Sequence, residues 1–336
     1  MAAAAHTGLI DRFGRRHDYL RISLTERCNL RCTYCMPEEG IVLRPRSHFM
    51  HTHEVQALAE TFVGMGVRKI RLTGGEPLVR KDAAEIIRGL GRLPVELGIT
   101  TNGVLLDHFL DVFEEAGLRS VNISLDSLRA DRMAVISRRN YFQRTMDNIT
   151  LARERGFHVK VNMVVMRGTN DDEVTDFIEW TRKEPLQVRF IEFMPFNGNR
   201  WEWGKGVSAE EILARATERF GPGGFGRIAD QPHDTARNYR LIGGAGTFAV
   251  ISSVTNPFCD TCNRIRLTAD GKLKNCLFGR QETDLLTALR AGEDIRPLIT
   301  EAVLHKKAMR GGMDSFGKLA DEALHGANRS MVAIGG

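Results

Sequence analysis

The sequence has no long hydrophobic run. Its uninterrupted apolar stretches are strand-sized, and the opening Met1 to Ala5 is far too short for a signal-peptide core or a membrane span. The expected location is cytoplasmic, with no membrane partner. The composition of a disordered chain is also missing: 42% hydrophobic and 26% charged residues are ordinary globular values, and 336 residues suffice for a catalytic barrel with an extension. Charge of one sign does not dominate. A formal charge of +5 suits a nucleic acid, a membrane surface, a small polyanion or a chain with slightly more Arg than Glu, and by itself it selects none of them. Finally, there is no disulfide framework. The six cysteines fall into two groups of three, Cys28, Cys32, Cys35 and Cys259, Cys262, Cys276, with none left over. A closed structural zinc site takes four ligands, so a group of three leaves one coordination position open.

What is present is a repeating pattern. Segments 19–24, 69–73, 95–100, 120–125, 159–165 and 188–194 alternate apolar and polar residues, and amphipathic stretches such as 54–65, 107–116, 145–155 and 172–182 lie between them. This is a βα repeat and predicts a parallel sheet. Parallel strands covered on both faces normally read as continuous apolar runs, and these do not. One face carries Leu20, Ile22, Ile70, Leu72, Leu97, Ile99, Val121, Ile123, Val159 and Val161. The other carries Arg21, Arg71, Glu96, Thr100, Asn122, Ser124, Asp126, Lys160, Asn162 and Glu192. The apolar face must meet the helices, so the polar face lines something wet or liganded. An incomplete (β/α)6 TIM-type barrel with an accessible interior satisfies this better than a closed barrel packed with branched side chains. After residue 194 the pattern changes to a Gly- and Trp-rich stretch, a helix over 209–219, and a strand followed by a hairpin turning at Asp270-Gly271. The expected organisation is a barrel over 15–195, a C-terminal α+β extension over 207–325 that carries the second cysteine group, and a tail over 327–336. The basic stretch from His305 to Arg310 reads as a solvated helix face.

Cys28-Asn29-Leu30-Arg31-Cys32-Thr33-Tyr34-Cys35 places a CxxxCxxC spacing directly after the first strand. Three thiolates in one short loop can hold three corners of a [4Fe–4S] cubane and leave the fourth iron without a protein ligand. With the turn Thr73-Gly74-Gly75-Glu76-Pro77 after the second strand, the string resembles the radical S-adenosylmethionine superfamily. The resemblance implies that S-adenosylmethionine chelates the open iron and is cleaved to a 5′-deoxyadenosyl radical.

Further on, Cys259-Asp260-Thr261-Cys262-Asn263-Arg264-Ile265-Arg266 followed by Cys276 is similar to the GTP 3′,8-cyclase family of molybdenum cofactor biosynthesis, as are Asp11-Arg12-Phe13-Gly14-Arg15, Ile191 to Pro195 and the terminal Gly335-Gly336. That resemblance implies two [4Fe–4S] clusters, the second also on three cysteines. It implies cofactor contacts at Tyr34, Gly75, Ser124 and Met194. Substrate contacts fall on Arg21, Arg71, Thr100, Lys160, Arg264, Ile265 and Arg266, with Arg21, Arg264, Arg266, Gly335 and Gly336 as active-site groups. In the implied reaction the radical takes hydrogen from C3′ of GTP, the C3′ radical attacks C8, and reduction gives 3′,8-cyclo-7,8-dihydro-GTP. A low-potential donor of flavodoxin or ferredoxin type, at roughly −400 mV or below, supplies the electron. A cyclic pyranopterin monophosphate synthase would consume the product, and the chain would act as a monomer or homodimer. Strand parity agrees, because Arg21, Arg71, Thr100, Ser124, Lys160 and Met194 are all assigned to the inward face. Two alternatives differ in kind. A peptide-modifying radical enzyme would carry more C-terminal cysteines, and a cluster-bearing nucleic-acid regulator would not need arginines pointing into a barrel.

Overall fold

In the computed structural model, residues 8–335 are described apart from 38, 43, 200, 322 and 325–327. The expected strands form as β1 (Tyr19–Ser23), β2 (Lys69–Thr73), β3 (Glu96–Thr101), β4 (Ser120–Ser124), β5 (His158–Val165) and β6 (Gln187–Glu192). They pair in sequence order and all in parallel. The helices Thr52–Gly64, Ala83–Leu90, Leu110–Glu115, Phe142–Glu154 and Val174–Lys183 connect them. In β5 every second residue is buried, and Val159, Val161, Met163 and Val165 join the main core with Phe177 and Ile178 from the following helix. The alternation has the cause inferred from the sequence, namely that one face of each strand meets helices and the other does not.

The C-terminal part adds β7 (Phe225–Arg227), β8 (Arg237–Leu241), β9 (Thr247–Ile251), β10 (Arg264–Leu267), β11 (Lys272–Lys274) and β12 (Thr283–Asp284). It extends the same sheet at both edges. β9 pairs parallel to β6 and β10 parallel to β1, so the order runs β12-β11-β10-β1-β2-β3-β4-β5-β6-β9-β8-β7. The barrel is therefore incomplete, as expected, but its open edges are occupied. The hairpin between β10 and β11 turns where predicted, with Gly271 at φ 69, a conformation that glycine adopts without a Cβ clash. A second small core, which includes Phe193, Phe196, Trp201, Val254, Phe278 and Met313, packs against Tyr34, Met194 and Cys276.

Two expectations about facing are corrected. Glu192 does not face the interior. β6 turns Arg189 and Ile191 inward, and the buried Glu192 carboxylate instead accepts hydrogen bonds from the Val254 and Thr255 amides at 2.7 and 2.9 Å. Glu96, at the first position of β3, has an exposed side chain that pairs with Lys69 at 2.6 Å.

A partly buried ion-pair network centred on the buried Asp270 ties the tail to the β10–β11 hairpin. Arg329 donates to both oxygens of Asp270 at 2.8 and 2.9 Å and to Glu282 at 2.6 Å, while Arg44 donates to Asp270 at 3.0 Å. Burial alone would raise the Asp270 pKa, but the Arg329 guanidinium and the Thr268 hydroxyl outweigh it and hold the carboxyl well below the usual range. Breaking such a pair leaves a charge without its partner, so Asp270→Asn is expected to destabilise the chain by about 3 kcal/mol at neutral pH. A depressed folded-state pKa stabilises above the unfolded value near about 4 and loses that contribution as the pH falls. The gap between variant and wild type in urea melts should therefore shrink below about pH 4. A gap that is absent at pH 7 would remove the network from the stability argument.

Candidate active site

One cavity of about 390 Å³ occupies the barrel interior under the C-terminal part, and all six cysteines line it. Cys28, Cys32 and Cys35 come from the loop after β1, and Cys259, Cys262 and Cys276 from the segments flanking β10 and β11. The Gly-Gly turn after β2 is zipped to the first loop: the Gly75 amide donates to Thr25 O at 2.7 Å and the Glu76 amide to Arg27 O at 2.8 Å. A Cβ on Gly75 would stand 2.5 Å from Arg27 O, so only glycine permits this approach. The buried Glu76 carboxylate accepts from the Asn102 amide at 2.6 Å and the Thr101 hydroxyl at 2.8 Å, which ties the turn to the end of β3.

The thiols are held by burial rather than by charge in the first loop. Burial pushes the Cys28 thiol up to about 11 and Cys35 to about 12, and it raises Cys32 well above its ordinary value, so without a cation these groups stay protonated. In each triplet the thiols lie close enough to influence one another's ionisation. Among the described residues no three His, Cys, Asp or Glu side chains close on one point as a single ion would need. The ligands of a cubane bind different irons, so three soft donors spread around a gap, with no fourth cysteine, fit such a cluster better than a lone ion. Thiols this reluctant to ionise become ligands when the metal supplies the positive charge.

Between the two triplets the cavity is strongly cationic. The β10, β1 and β2 registers align Arg266 with Arg21 and Arg21 with Arg71, making one row of guanidinium groups across three strands. Opposite Arg71 on β3 stands Gly98, where a Cβ would meet the guanidinium at 2.8 Å, so the glycine makes room for it. Arg71 donates to the Tyr19 hydroxyl at 2.6 Å and to Ile99 O at 2.9 Å. Lys160 and Arg189 face the same space. Burial lowers Arg21 to about 10, Arg189 to about 9 and Lys160 to about 8, with Arg71 repelling Arg21 and both Arg71 and Arg21 repelling Arg189. Burial would raise the Tyr19 phenol, yet Arg71, Arg21 and Lys69 outweigh it and bring it down to about 7. Among the described residues Arg71, Lys160 and Arg189 form no salt bridge to a carboxylate, and Thr100 Oγ1 and Arg264 Nη2 are buried without a hydrogen-bond partner. Such a site asks for an anion.

Of the residues singled out in the sequence, Arg21, Tyr34, Arg71, Gly75, Thr100, Ser124, Lys160, Met194, Arg264 and Arg266 all line this cavity. Tyr34 donates to Asp126 at 2.7 Å. Met194 reaches the cavity from the loop beyond the end of β6, not by strand parity. Ile265 does not reach it: its side chain is fully buried in the main core, in register with Leu20. The Gly335 carbonyl accepts from Arg266 Nη1 at 2.6 Å, and Gly336 lies outside the described residues. The basic stretch 305–310 is a solvated face only in part: His305 and Lys307 are exposed, whereas Lys306 is 3% exposed and Arg310 6% exposed. Tyr19, Lys69, Arg189 and Lys306 were not anticipated. The first two share the inward parity of Arg21 and Arg71 and were legible by the same count.

Residues 22–181 match the model of the Radical SAM superfamily, and residues 186–311 match that of Molybdenum Cofactor Synthesis C. The chain is 49% identical over 334 residues to a protein of Arabidopsis thaliana named GTP 3′,8-cyclase, mitochondrial, with 98% of this chain and 83% of that one aligned. The chain belongs to the GTP 3′,8-cyclase family. It is thus a radical S-adenosylmethionine enzyme, for which that cofactor and an iron–sulfur cluster are required. Molybdenum cofactor biosynthesis protein 1 of Homo sapiens is 45% identical over 99% of this chain, which spans only 52% of the human protein. The fold is also that of Streptococcus suis SuiB bound to S-adenosylmethionine, with a TM-score of 0.59 at 15% identity, covering 85% of this chain and 67% of the other. Among the described residues no helix is long and apolar enough to cross a membrane.

Proposed function

We propose that this chain converts GTP into 3′,8-cyclo-7,8-dihydro-GTP, the first step of molybdenum cofactor biosynthesis, with one [4Fe–4S] cluster on each cysteine triplet. The observation that carries this reading is that both triplets line one cavity whose intervening wall carries a row of arginines, and that among the described residues Arg71, Lys160 and Arg189 there form no salt bridge to a carboxylate. When bound, the first cluster and S-adenosylmethionine supply an electron and a 5′-deoxyadenosyl radical. Tyr34, Gly75, Ser124 and Met194 hold that cofactor. Arg71, Lys160 and Arg189, with Lys69, take the triphosphate, whose charge compensates cations that would otherwise be costly to bury. Arg21, Arg264 and Arg266 position the nucleoside, and Arg266 also holds the Gly335 carbonyl at the end of the tail. A low-potential donor feeds the reaction, and a downstream synthase that forms the cyclic pyranopterin consumes the product.

Anaerobically reconstituted protein given dithionite, S-adenosylmethionine and GTP should release 5′-deoxyadenosine and the cyclised nucleotide together. Failure of GTP to stimulate either product would overturn the reading. Lys160→Ala and Arg189→Ala should each weaken GTP binding by about 1.5 to 3 kcal/mol, the range for charge-assisted contacts, and leave S-adenosylmethionine binding unchanged in calorimetry. The lysine carries its charge only below about pH 8 in the empty cavity. GTP affinity of the wild type should therefore fall as the pH rises above that value, and Lys160→Ala should flatten that part of the profile.

A further inference from the structure

The N-terminal segment 11–17 is a bracket whose buried side chains, Asp11, Arg15 and His17, the proposed reaction leaves without a task. Asp11 is 3% exposed; its carboxylate accepts from Arg15 Nε at 2.7 Å and contacts His17 Nε2 at 3.0 Å. Arg15 then donates to Cys259 O and Ala308 O, both at 2.8 Å, and to Lys307 O at 2.9 Å. The bracket therefore grips both the segment before β10 that carries Cys259 and the segment that carries Lys306. On its other side, Lys306 Nζ stands 3.5 Å from His17 Nδ1, donates to Arg264 O at 2.8 Å and donates to Cys262 Sγ at 3.4 Å. Burial and the neighbouring ammonium hold His17 down to about 4, so at neutral pH its ring is uncharged. With Nε2–H donated to Asp11, Nδ1 is left as the acceptor that faces Lys306. A buried ammonium pointed at one thiolate of a triplet, and fixed there by a neutral imidazole backed by a carboxylate, is more than a helix-end cap.

We infer that Lys306 is the charged donor that sets the electron affinity of the cluster on the second cysteine triplet, and that Asp11 and His17 are the positioning residues that hold it against Cys262. The inference rests on the proposed second cluster. Reduction adds negative charge to the cluster and its thiolates, so a fixed N–H···S bond with a positive donor stabilises the reduced form more than the oxidised one and raises the potential. Arg264 and Arg310 also bring positive charge to this triplet, and the Arg310 amide donates to Cys259 Sγ at 3.4 Å. Lys306 Nζ is fixed on Cys262 Sγ by contacts within the chain itself, to Arg264 O and His17, so its effect should be present before substrate binds.

The test uses the full chain with Cys28, Cys32 and Cys35 replaced by Ala, so that only the second cluster remains, and follows it by EPR redox titration. Lys306→Met is expected to lower the reduction equilibrium constant at least tenfold, about 59 mV for one electron. Lys306→Gln, which keeps a donor without the charge, should fall between that and the parent, and Lys306→Arg should stay close to the parent. An unchanged midpoint in Lys306→Met overturns the inference. If that variant loses its cluster, pulsed EPR of the parent labelled with ¹⁵N-lysine decides: a ¹⁵N hyperfine coupling to the reduced cluster in the absence of nucleotide supports the contact, and its absence overturns it. A parent that retains no iron would instead bring down the two-cluster reading, and this inference with it.

Discussion

Replacing Cys28, Cys32 and Cys35 together by Ala is expected to abolish 5′-deoxyadenosine formation and to leave about half of the iron, about four of about eight atoms per chain. The second triplet should keep its share, because it lies on a different pair of segments and draws its support from Arg15, Lys306 and Arg310 rather than from the β1 loop. The reciprocal variant, with Cys259, Cys262 and Cys276 replaced, should still cleave S-adenosylmethionine while making no cyclised nucleotide. The asymmetry is the informative part, since it assigns one triplet to radical generation and the other to the substrate. Iron and sulfide analysis beside product assays would read it. Stoichiometric zinc without acid-labile sulfide in protein purified free of oxygen would end the cluster assignment, and so would undiminished 5′-deoxyadenosine from the first variant.

The barrel was readable because its inner face is polar. In β1, β2, β4 and β5 the period-two alternation separates core from cavity, so Arg21, Arg71, Ser124 and Lys160 could be placed from residue order alone. In β6 the same rule misleads. Its inward positions are Arg189 and the apolar Ile191, whereas the acid Glu192 is buried on the other side against backbone amides from the loop after β9. A buried carboxylate satisfied by N–H donors looks, in sequence, like a cavity group. Ile265 shows the reverse, since a position flanked by two cavity arginines must itself point into the core when the segment is a strand. The occupation of both barrel edges had no local signal. β10 reaches β1 across more than two hundred intervening residues, and nothing in the composition of either strand names its partner. Lys306 was hidden for a similar reason: in a run with His305, Lys307 and Arg310 it looks solvated, and only its tertiary partners, Cys262, Arg264 O and His17, account for its burial.

The second large effect is expected at Arg264 and Arg266. Both extend from β10 into the cavity, two residues apart and hence on one side of the strand. Their partners differ. Arg266 is aligned with Arg21, and its Nη1 donates to the Gly335 carbonyl at 2.6 Å; Arg264 stacks on Phe258 with its Cζ 4.6 Å from the ring centroid and has Nη2 buried with no hydrogen-bond partner. Burial and repulsion from Arg21 and Arg264 push the Arg266 pKa well down, which marks a cation that an anionic nucleotide would relieve. Arg264→Ala and Arg266→Ala should each retain both clusters and yet lower cyclised product by at least about 100-fold, because abstraction at one ribose carbon tolerates a misplacement of only about 1 Å. The two variants should then diverge. Arg266→Ala also releases the tail carbonyl, so it should leak 5′-deoxyadenosine without cyclised product, while Arg264→Ala, which leaves the tail contact in place, should lose both products together. Iron content, 5′-deoxyadenosine and cyclised nucleotide measured side by side would separate these patterns. Wild-type cyclisation in both variants would place the two arginines outside the chemistry, whereas uncoupled cleavage in Arg266→Ala alone would show that the tail is held shut through this one guanidinium.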